Sequence, residues 1–328
     1  MPLLRAALLM WVLLIITTGC QKLPRGCPPT CIGVNLRGRD LNGSDLKGAN
    51  FSRAILERVQ FHGTNLSEAN FSGANLSDAN LSGANLSGAR LTGANLQGAN
   101  LARAMLDDAD LSGANLTGAT LTRVDLRRVK LSSVILNQVR LIGASLWGVD
   151  LSGANLIGAN LSGANLVGAD LSGAQLGREQ ERDRGADLRG ADLRSINLTN
   201  ADLAGVRLRG ANLIRAQLVE ASANAEMRGA NLTKANLRGA DLSEAVLSGA
   251  SLQAANLVNA KMDRTRLNGV TLQGADLSGA QLLSRVADDA IARADLHGAH
   301  YDCWTLWPSG FEPPEVAILE DSELCVDF

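Results

Sequence analysis

Residues 69–88 read ANFSGANLSDANLSGANLSG, four copies of one five-residue phrase whose third residue is Phe or Leu. Outward from there the phrase runs without a slip from a centre at Leu36 to one at Leu176, 29 repeats in succession. Two positions before each centre stands a small residue, mostly Ala and sometimes Val. Between them lies Asn, Asp or another polar residue, and after the centre come Ser, Thr or Arg and then often Gly.

A period of five excludes the ordinary elements. On an α-helix five residues turn about 500°, so successive centres would wander by about 140° and define no face. In a plain strand the side chains alternate with period two, and an odd repeat would throw every second Leu to the wrong side. The pattern is met if each pentapeptide is one short extended side followed by a corner. The small residue and the centre, two apart, then point inward together, and the polar residue between them points out.

Composition agrees with a narrow, repetitive interior. Of the 328 residues 46% are hydrophobic but only 3% aromatic, whereas a large globular core leans on Phe, Tyr and Trp for buried area. Three His, one Tyr and a formal net charge of −2 leave little material for catalysis or for electrostatic capture of nucleic acid.

Residues 34–282 resemble the pentapeptide-repeat family, whose consensus is similar to Ala-(Asn/Asp)-Leu-x-Gly. The resemblance implies an all-β fold, a right-handed quadrilateral β-helix. Four pentapeptide sides would close a coil of 20 residues, with coils stacked at about 4.8 Å as in a sheet. Residues 20 apart then lie above one another. Phe51 should stack on Phe71, and Arg90, Asp110, Lys130 and Asp150 should form an alternating column. Asp107 should lie beneath Arg127, Asp108 beneath Arg128, Arg58 beneath Asp78, Asp241 beneath Lys261 and Glu244 beneath Arg264. Opposite charges on adjacent rungs contribute about 0.2–1 kcal/mol each.

The register breaks twice. After Leu176 comes the charged run 177–184 (GREQERDR), and centres resume at Leu188, an interval counted as two repeats plus two residues. It reads as a solvated loop or a protrusion that contacts a partner. Seven centres follow to Leu218, a one-residue slip within 219–226 precedes Met227, and twelve centres then run to Leu282. The 48 repeats amount to about 12 coils, a rod of roughly 58 Å at the sheet spacing. Beyond it, residues 283–328 read as a degenerate last coil fading through Ile291, Leu296 and Tyr301, an aromatic cap and an acidic tail. The segment 301–314 (YDCWTLWPSGFEPP) resembles the Tyr-Asp…Thr…Trp/Phe-Pro…Gly-Phe-x-Pro ending of many cyanobacterial members of the family. Trp304, Trp307 and Phe311 are suited to lid the last coil, as an open stack of strands requires.

At the other end Arg5 precedes an apolar run from Ala6 to Ile16, then Thr17, Thr18, Gly19 and Cys20. Eleven apolar residues are short for a bilayer of roughly 30 Å and suit the core of a signal peptide, residues 1–19. The junction resembles a bacterial lipobox with Thr17 in place of the usual Leu, so Cys20 is the candidate for lipidation. Three outcomes stand in order: a lipoprotein, a soluble exported protein, and an uncleaved anchor. Residues 20–32 would be tether and cap. Cys27, Cys31, Cys303 and Cys325 flank the repeats at both ends and are disulfide candidates, as an exported chain permits. Cys27 and Cys31 also allow a partial metal site or free thiols.

Little else carries chemistry. His297, His300 and Cys303, with Asp302 nearby, have metal-like spacing, but around a corner they would diverge, and no metal site is expected. The recurrent Ser have no recurrent base, so no catalytic residue is named. The glycines open no helix, so no phosphate or cofactor site follows. Asp107 with Asp108 and Asp288 with Asp289 read as structural. The basic residues Arg123, Arg127, Arg128, Lys130 and Arg140 fall on different sides. In the family an acidic rod can mimic DNA and occupy gyrase or topoisomerase. Here residues 33–282 carry 26 Lys and Arg against 23 Asp and Glu, and with a leader as well that alternative is disfavoured. The expectation is a non-enzymatic scaffold of the cell envelope, periplasm or thylakoid lumen, binding an unidentified protein and no nucleic acid, with a lipid anchor at Cys20 the first of the three outcomes.

Overall fold

The computed structural model describes Leu23, residues 27–178, Gln180, and residues 185–285, 291–313 and 317–319. Their architecture is all-β. Through most of the described array every fifth residue makes a parallel bridge to the residue one turn further on, as in Thr30 with Asn50, Asn35 with Ile55, Asp40 with Gln60 and Asp45 with Asn65. Four pairings therefore occur per turn of 20 residues, and the chain is a β-helix.

The repeat at 74–78 shows why this sequence winds so. It has five amides, and four are taken by backbone carbonyls. Ala74 donates to Phe71 across the corner (2.9 Å), Asn75 to Ala54 below (2.9 Å), and Leu76 and Asp78 to Asn95 and Gln97 above (2.7 and 2.8 Å). The fifth, Ser77 N–H, donates to the Asn75 side chain at 3.2 Å. Thus Asn or Asp before each centre caps the one amide the stack leaves over. The same bond recurs from Ser52 to Asn50 through to His297 to Asp295. At the corner the second residue after the centre has positive φ, as a type II turn demands, which is why it is so often Gly. Asp78 (φ 55°) is one of the non-glycine exceptions.

The centres fill the axis. Phe51 and Phe71, one turn apart, stack with centroids 5.2 Å apart, and Phe61 meets both edge-on from the opposite side at 6.0 and 6.2 Å. The small residues are buried beside them. Where Thr replaces Ala, at Thr64 and Thr265, the buried hydroxyl donates to the carbonyl of Leu41 or Leu242 in the turn below (2.8 and 2.9 Å).

Four length changes are absorbed without losing the stack, the last a single residue between Thr271 with His300 (29 apart) and Asp276 with Leu306 (30 apart). Pairing jumps from 20 to 27 residues at Asn160 with Asp187, so the interval after Leu176 holds one repeat and seven inserted residues, rather than two repeats plus two. Ala186 N–H closes the corner on Leu176 O at 2.8 Å, the bond that usually spans three residues. Pairing then shortens to 19 at Arg207 with Glu226, where buried Ala221, Ala223 and Ala225 allow a tight turn from Ala225 N–H to Ala223 O (2.7 Å). At Arg266 with Asp295 it lengthens to 29. There the chain leaves the stack as an antiparallel hairpin of β1 (Leu283–Arg285) and β2 (Ile291–Arg293). Ile291 therefore belongs to a hairpin strand and not to a fading repeat centre.

The ends differ from expectation in detail. Repeat pairing starts at Thr30 with Cys31 in the core, one repeat before Leu36. At the far end β3 (His300–Tyr301) pairs in parallel with β4 (Ile318–Leu319). Tyr301, Trp307 and Phe311 form a ladder with centroids 5.5 and 5.4 Å apart and pack on the core. Trp304, assigned to the lid from sequence, is 64% exposed instead. Among the described residues no helix is long and apolar enough to cross a membrane, and the leader lies outside them.

Two substitutions separate inside from outside. Leu126→Asp places an unpaired charge on the dry axis and should abolish cooperative unfolding in urea, whereas Arg127→Asp should cost about 1 kcal/mol or less. Asn115→Ala uncaps Thr117, whose N–H and hydroxyl both donate to Asn115 (3.0 and 2.7 Å), and should cost about 1 kcal/mol by the same measurement.

Candidate functional site

The outward side chains divide into those spent on the rod and those left over. Of the expected charge pairs, Arg128 and Asp108 meet in a two-pronged contact (2.6 Å), Arg264 and Glu244 lie 3.3 Å apart and Arg58 and Asp78 3.9 Å. Among the described residues the column of Arg90, Asp110, Lys130 and Asp150 makes no ion pair within 4 Å. Ser112 hydrogen bonds hold Asp110 below its ordinary carboxylate value, with only smaller help from Lys130 and Arg90. Asp241 likewise caps Ser243 and makes no contact ion pair with Lys261. Arg127 passes over Asp107 and grips Asp125, two residues back, at 2.6 Å.

That last pairing is a rule the sequence reading missed. Residues flanking a centre both point outward, so an Asp-Leu-Arg triplet closes on itself: Asp125 with Arg127, Asp187 with Arg189 and Asp192 with Arg194. Asp187 is the buried case, 2% exposed, and it also receives Arg207 from the next turn at 3.0 Å. Burial alone would raise its pKa. Hydrogen bonds from Arg189, then the charge of Arg207, outweigh burial and hold it below the ordinary 3.8. The cluster sits where the inserted segment 178–184 rejoins the stack.

A cleft of about 570 Å³ opens in the described rod between residues 131–135 and 150–155. Lys130 with Asp150 and Ile135 with Asn155 fail to bridge, and among the described residues the amides of Leu131, Ser133, Leu136, Asp150 and Asn155 donate to no carbonyl. Met105 with Asp125, one side earlier in the stack, also lacks a bridge, and the small position is crowded through this stretch. Val occupies it at Val124, Val129, Val134 and Val139, and Val129 lies directly under Val149. Two β-branched side chains where Ala normally sits overpack the corner and force the turns apart. Apolar Leu131, Val134 and Leu151 line the opening beside Ser132, Ser133, Asp150 and Ser152.

The remaining sequence candidates are placed as follows. Cys27 and Cys31 are joined by a disulfide beneath the first turn. Cys303 is disulfide-bonded too, while Cys20, Cys325, Asp288 and Asp289 lie outside the described residues. Asp302, next to His300, is occupied as a structural latch. It accepts hydrogen bonds from the Gly274 and Trp304 amides and the Thr305 hydroxyl (2.8, 3.1 and 2.9 Å). His297 follows its centre and His300 precedes the next across a corner. Among the described residues no three His, Cys, Asp or Glu are grouped to hold a metal.

A family model for pentapeptide repeats matches eight times, over residues 31–67, 54–93, 69–104, 94–132, 135–173, 184–222, 223–249 and 250–282. The chain belongs to the pentapeptide-repeat family. The intervals skipped by those matches within this pentapeptide-repeat array, 133–134 and 174–183, fall on the cleft and on the inserted segment. The array is similar to HetL of the cyanobacterium Nostoc sp. strain PCC 7120, a pentapeptide repeat protein involved in heterocyst differentiation regulation. The identity is 31%, covering 88% of this chain and 94% of HetL, with a TM-score of 0.21. It is also similar to Rfr23 of the cyanobacterium Cyanothece 51142 (27% identity, 47% of this chain, 90% of that one, TM-score 0.30). A trypsin-treated variant of QnrB1, a plasmid-mediated fluoroquinolone resistance protein, is 18% identical, covering 70% and 91% of the two chains with a TM-score of 0.39. Among curated proteins none matches the chain.

Val129→Ala should relieve the overpacked corner. Hydrogen exchange at Leu131, Ser133 and Asp150 should then slow toward that of the equivalent amides at Leu91 and Gly93, and faster exchange would refute the packing cause. Asp187 also makes stability depend on acid. A carboxylate whose folded pKa is depressed stabilises above its unfolded value, and that contribution is lost as pH falls through the folded one. Below about pH 4 the wild type should therefore lose stability more steeply than Asp187→Asn, measured by urea unfolding across roughly pH 2–6.

Proposed function

We propose that this pentapeptide-repeat protein is a non-catalytic structural and protein-interaction scaffold, exported to the cell envelope, periplasm or thylakoid lumen. It is built as a right-handed rod of about 12 coils. One observation carries the reading: the polar groups that stud the faces are consumed by the rod itself. The Asn and Asp carbonyl or carboxylate oxygens cap backbone amides, as in Asn50, Asn115 and Asp170, and Asp302 and Asp187 are held in structural networks. What remains is a set of long polar faces that suit a partner surface better than a small substrate.

Export is supported by the leader-like residues 1–19 and by the cysteines placed at the ends of the array, two of them joined as Cys27 and Cys31. Lipidation at Cys20 would anchor the rod by its N-terminal end. A rod that mimics DNA toward a topoisomerase would need a strongly negative face, which the near-balanced charge of residues 33–282 does not supply. Mass spectrometry of the mature N-terminus, combined with affinity capture from native membranes, tests the reading. The expected result is a chain beginning at Cys20 with added acyl mass and a co-purifying protein. An unprocessed cytosolic chain that inhibits gyrase supercoiling would overturn it.

A further inference from the structure

The corner that follows the inserted segment carries the longest stack of like charge on the described rod. Gly190 and Gly210 donate to the carbonyls of Arg209 and Arg228 (both 3.1 Å), which places Arg189, Arg209 and Arg228 above one another in three successive turns. All three are exposed. At about 4.8 Å per rung, like charges directly opposed are destabilising, and nothing in the fold requires them there. Arg189 is answered by Asp187. Arg209 and Arg228 make no ion pair among the described residues. Among the described residues the carboxylates nearby are Asp187, already shared between Arg189 and Arg207, and Glu226, which stacks on Arg207.

The rod itself shows what such an arginine binds. Elsewhere an Arg after a centre takes the carboxylate two residues before it, as in Asp125 with Arg127 and Asp192 with Arg194. At Arg209 that place holds Arg207, so the triplet is Arg-Leu-Arg and no described residue supplies its carboxylate; at Arg228 the place holds Glu226, which stacks on Arg207 and makes no contact ion pair with Arg228. A guanidinium accepts a carboxylate by two parallel hydrogen bonds, and long flexible stems let adjacent rungs reach charges spaced differently from themselves. Same-face side chains of an extended segment repeat at about 6.6–6.8 Å, within reach of two neighbouring rungs. Nucleic-acid bases would find nothing to stack on, since the exposed tryptophans, Trp147 and Trp304, lie in other turns.

We propose that the Arg189, Arg209 and Arg228 ladder docks an extended acidic segment of a protein partner, two of whose carboxylates, two residues apart, engage Arg209 and Arg228. The proposal rests on the scaffold reading above. It is tested with the full chain and a fluorescein-labelled peptide of four Glu-Ser units, using four Gln-Ser units as control, by anisotropy at two salt concentrations. The expected result is binding of the Glu peptide only, weakened by salt. The Arg209→Ala/Arg228→Ala variant should bind about tenfold more weakly, and Arg103→Ala/Arg123→Ala, a stacked pair on another corner, should bind as the wild type does. Circular dichroism melting keeps loss of fold apart from loss of binding, because removing the repulsion should leave the melting temperature equal or higher. Equal binding by the Arg209→Ala/Arg228→Ala variant overturns the proposal. So does ladder-dependent binding of phosphatidylglycerol vesicles without binding of the peptide. If affinity capture recovers the same partner with wild type and variant, the ladder fails while the scaffold stands; if neither recovers one, the scaffold reading fails.

Discussion

A chain that turns a corner every five residues must find a partner for every amide it carries round that corner. The stack supplies four of the five, two in the turn above, one in the turn below and one across the corner. The fifth is left to the side chain of Asn or Asp. Much of what looks like surface decoration follows from that shortfall. Because the capping oxygen is drawn inward to the backbone, a row of Asn and Asp that reads as a polar face is in large part internal machinery.

The same constraint explains where the molecule yields. Pairing one turn above requires the turns to approach to strand distance, and only a small residue before the polar one allows it. Ala meets the condition through most of the array, and Val beside Ala keeps the pairing at some corners, as at Val59 with Ala79, and loses it at others, as at Val134 with Ala154. Val129 under Val149 is the most crowded of these corners, and pairing is given up there too. A local choice of two methyl groups thus opens a rod that is otherwise dry along its axis.

The period was legible in the sequence because Leu at every fifth residue has one geometric solution, and a pair such as Asp108 with Arg128 reports the 20-residue turn. Asp107 does lie beneath Arg127, but the 20-residue step alone does not show that Arg127 closes on Asp125. Period-two geometry, which turns Ala and Leu inward, holds equally for the two outward residues that flank Leu126. The hairpin from Leu283 to Arg293 has no repeat to betray it. The cleft was visible as a run of Val, but its consequence appears only once Val129 and Val149 are known to be neighbours. The arginine ladder is half legible: Arg189 and Arg209 keep the 20-residue step, but the one-residue slip puts Arg228 only 19 residues on.

The closure of Leu176 on Ala186 has a wider consequence. An interior residue counts only how many sides lie between it and its neighbour above, and a corner bonded at its base reports one side whatever hangs from it. Length can therefore be added at a corner without being felt along the axis. Such a rod can be furnished with excursions at chosen heights and compass points, like pegs on a post, and each new peg leaves the post as straight as before.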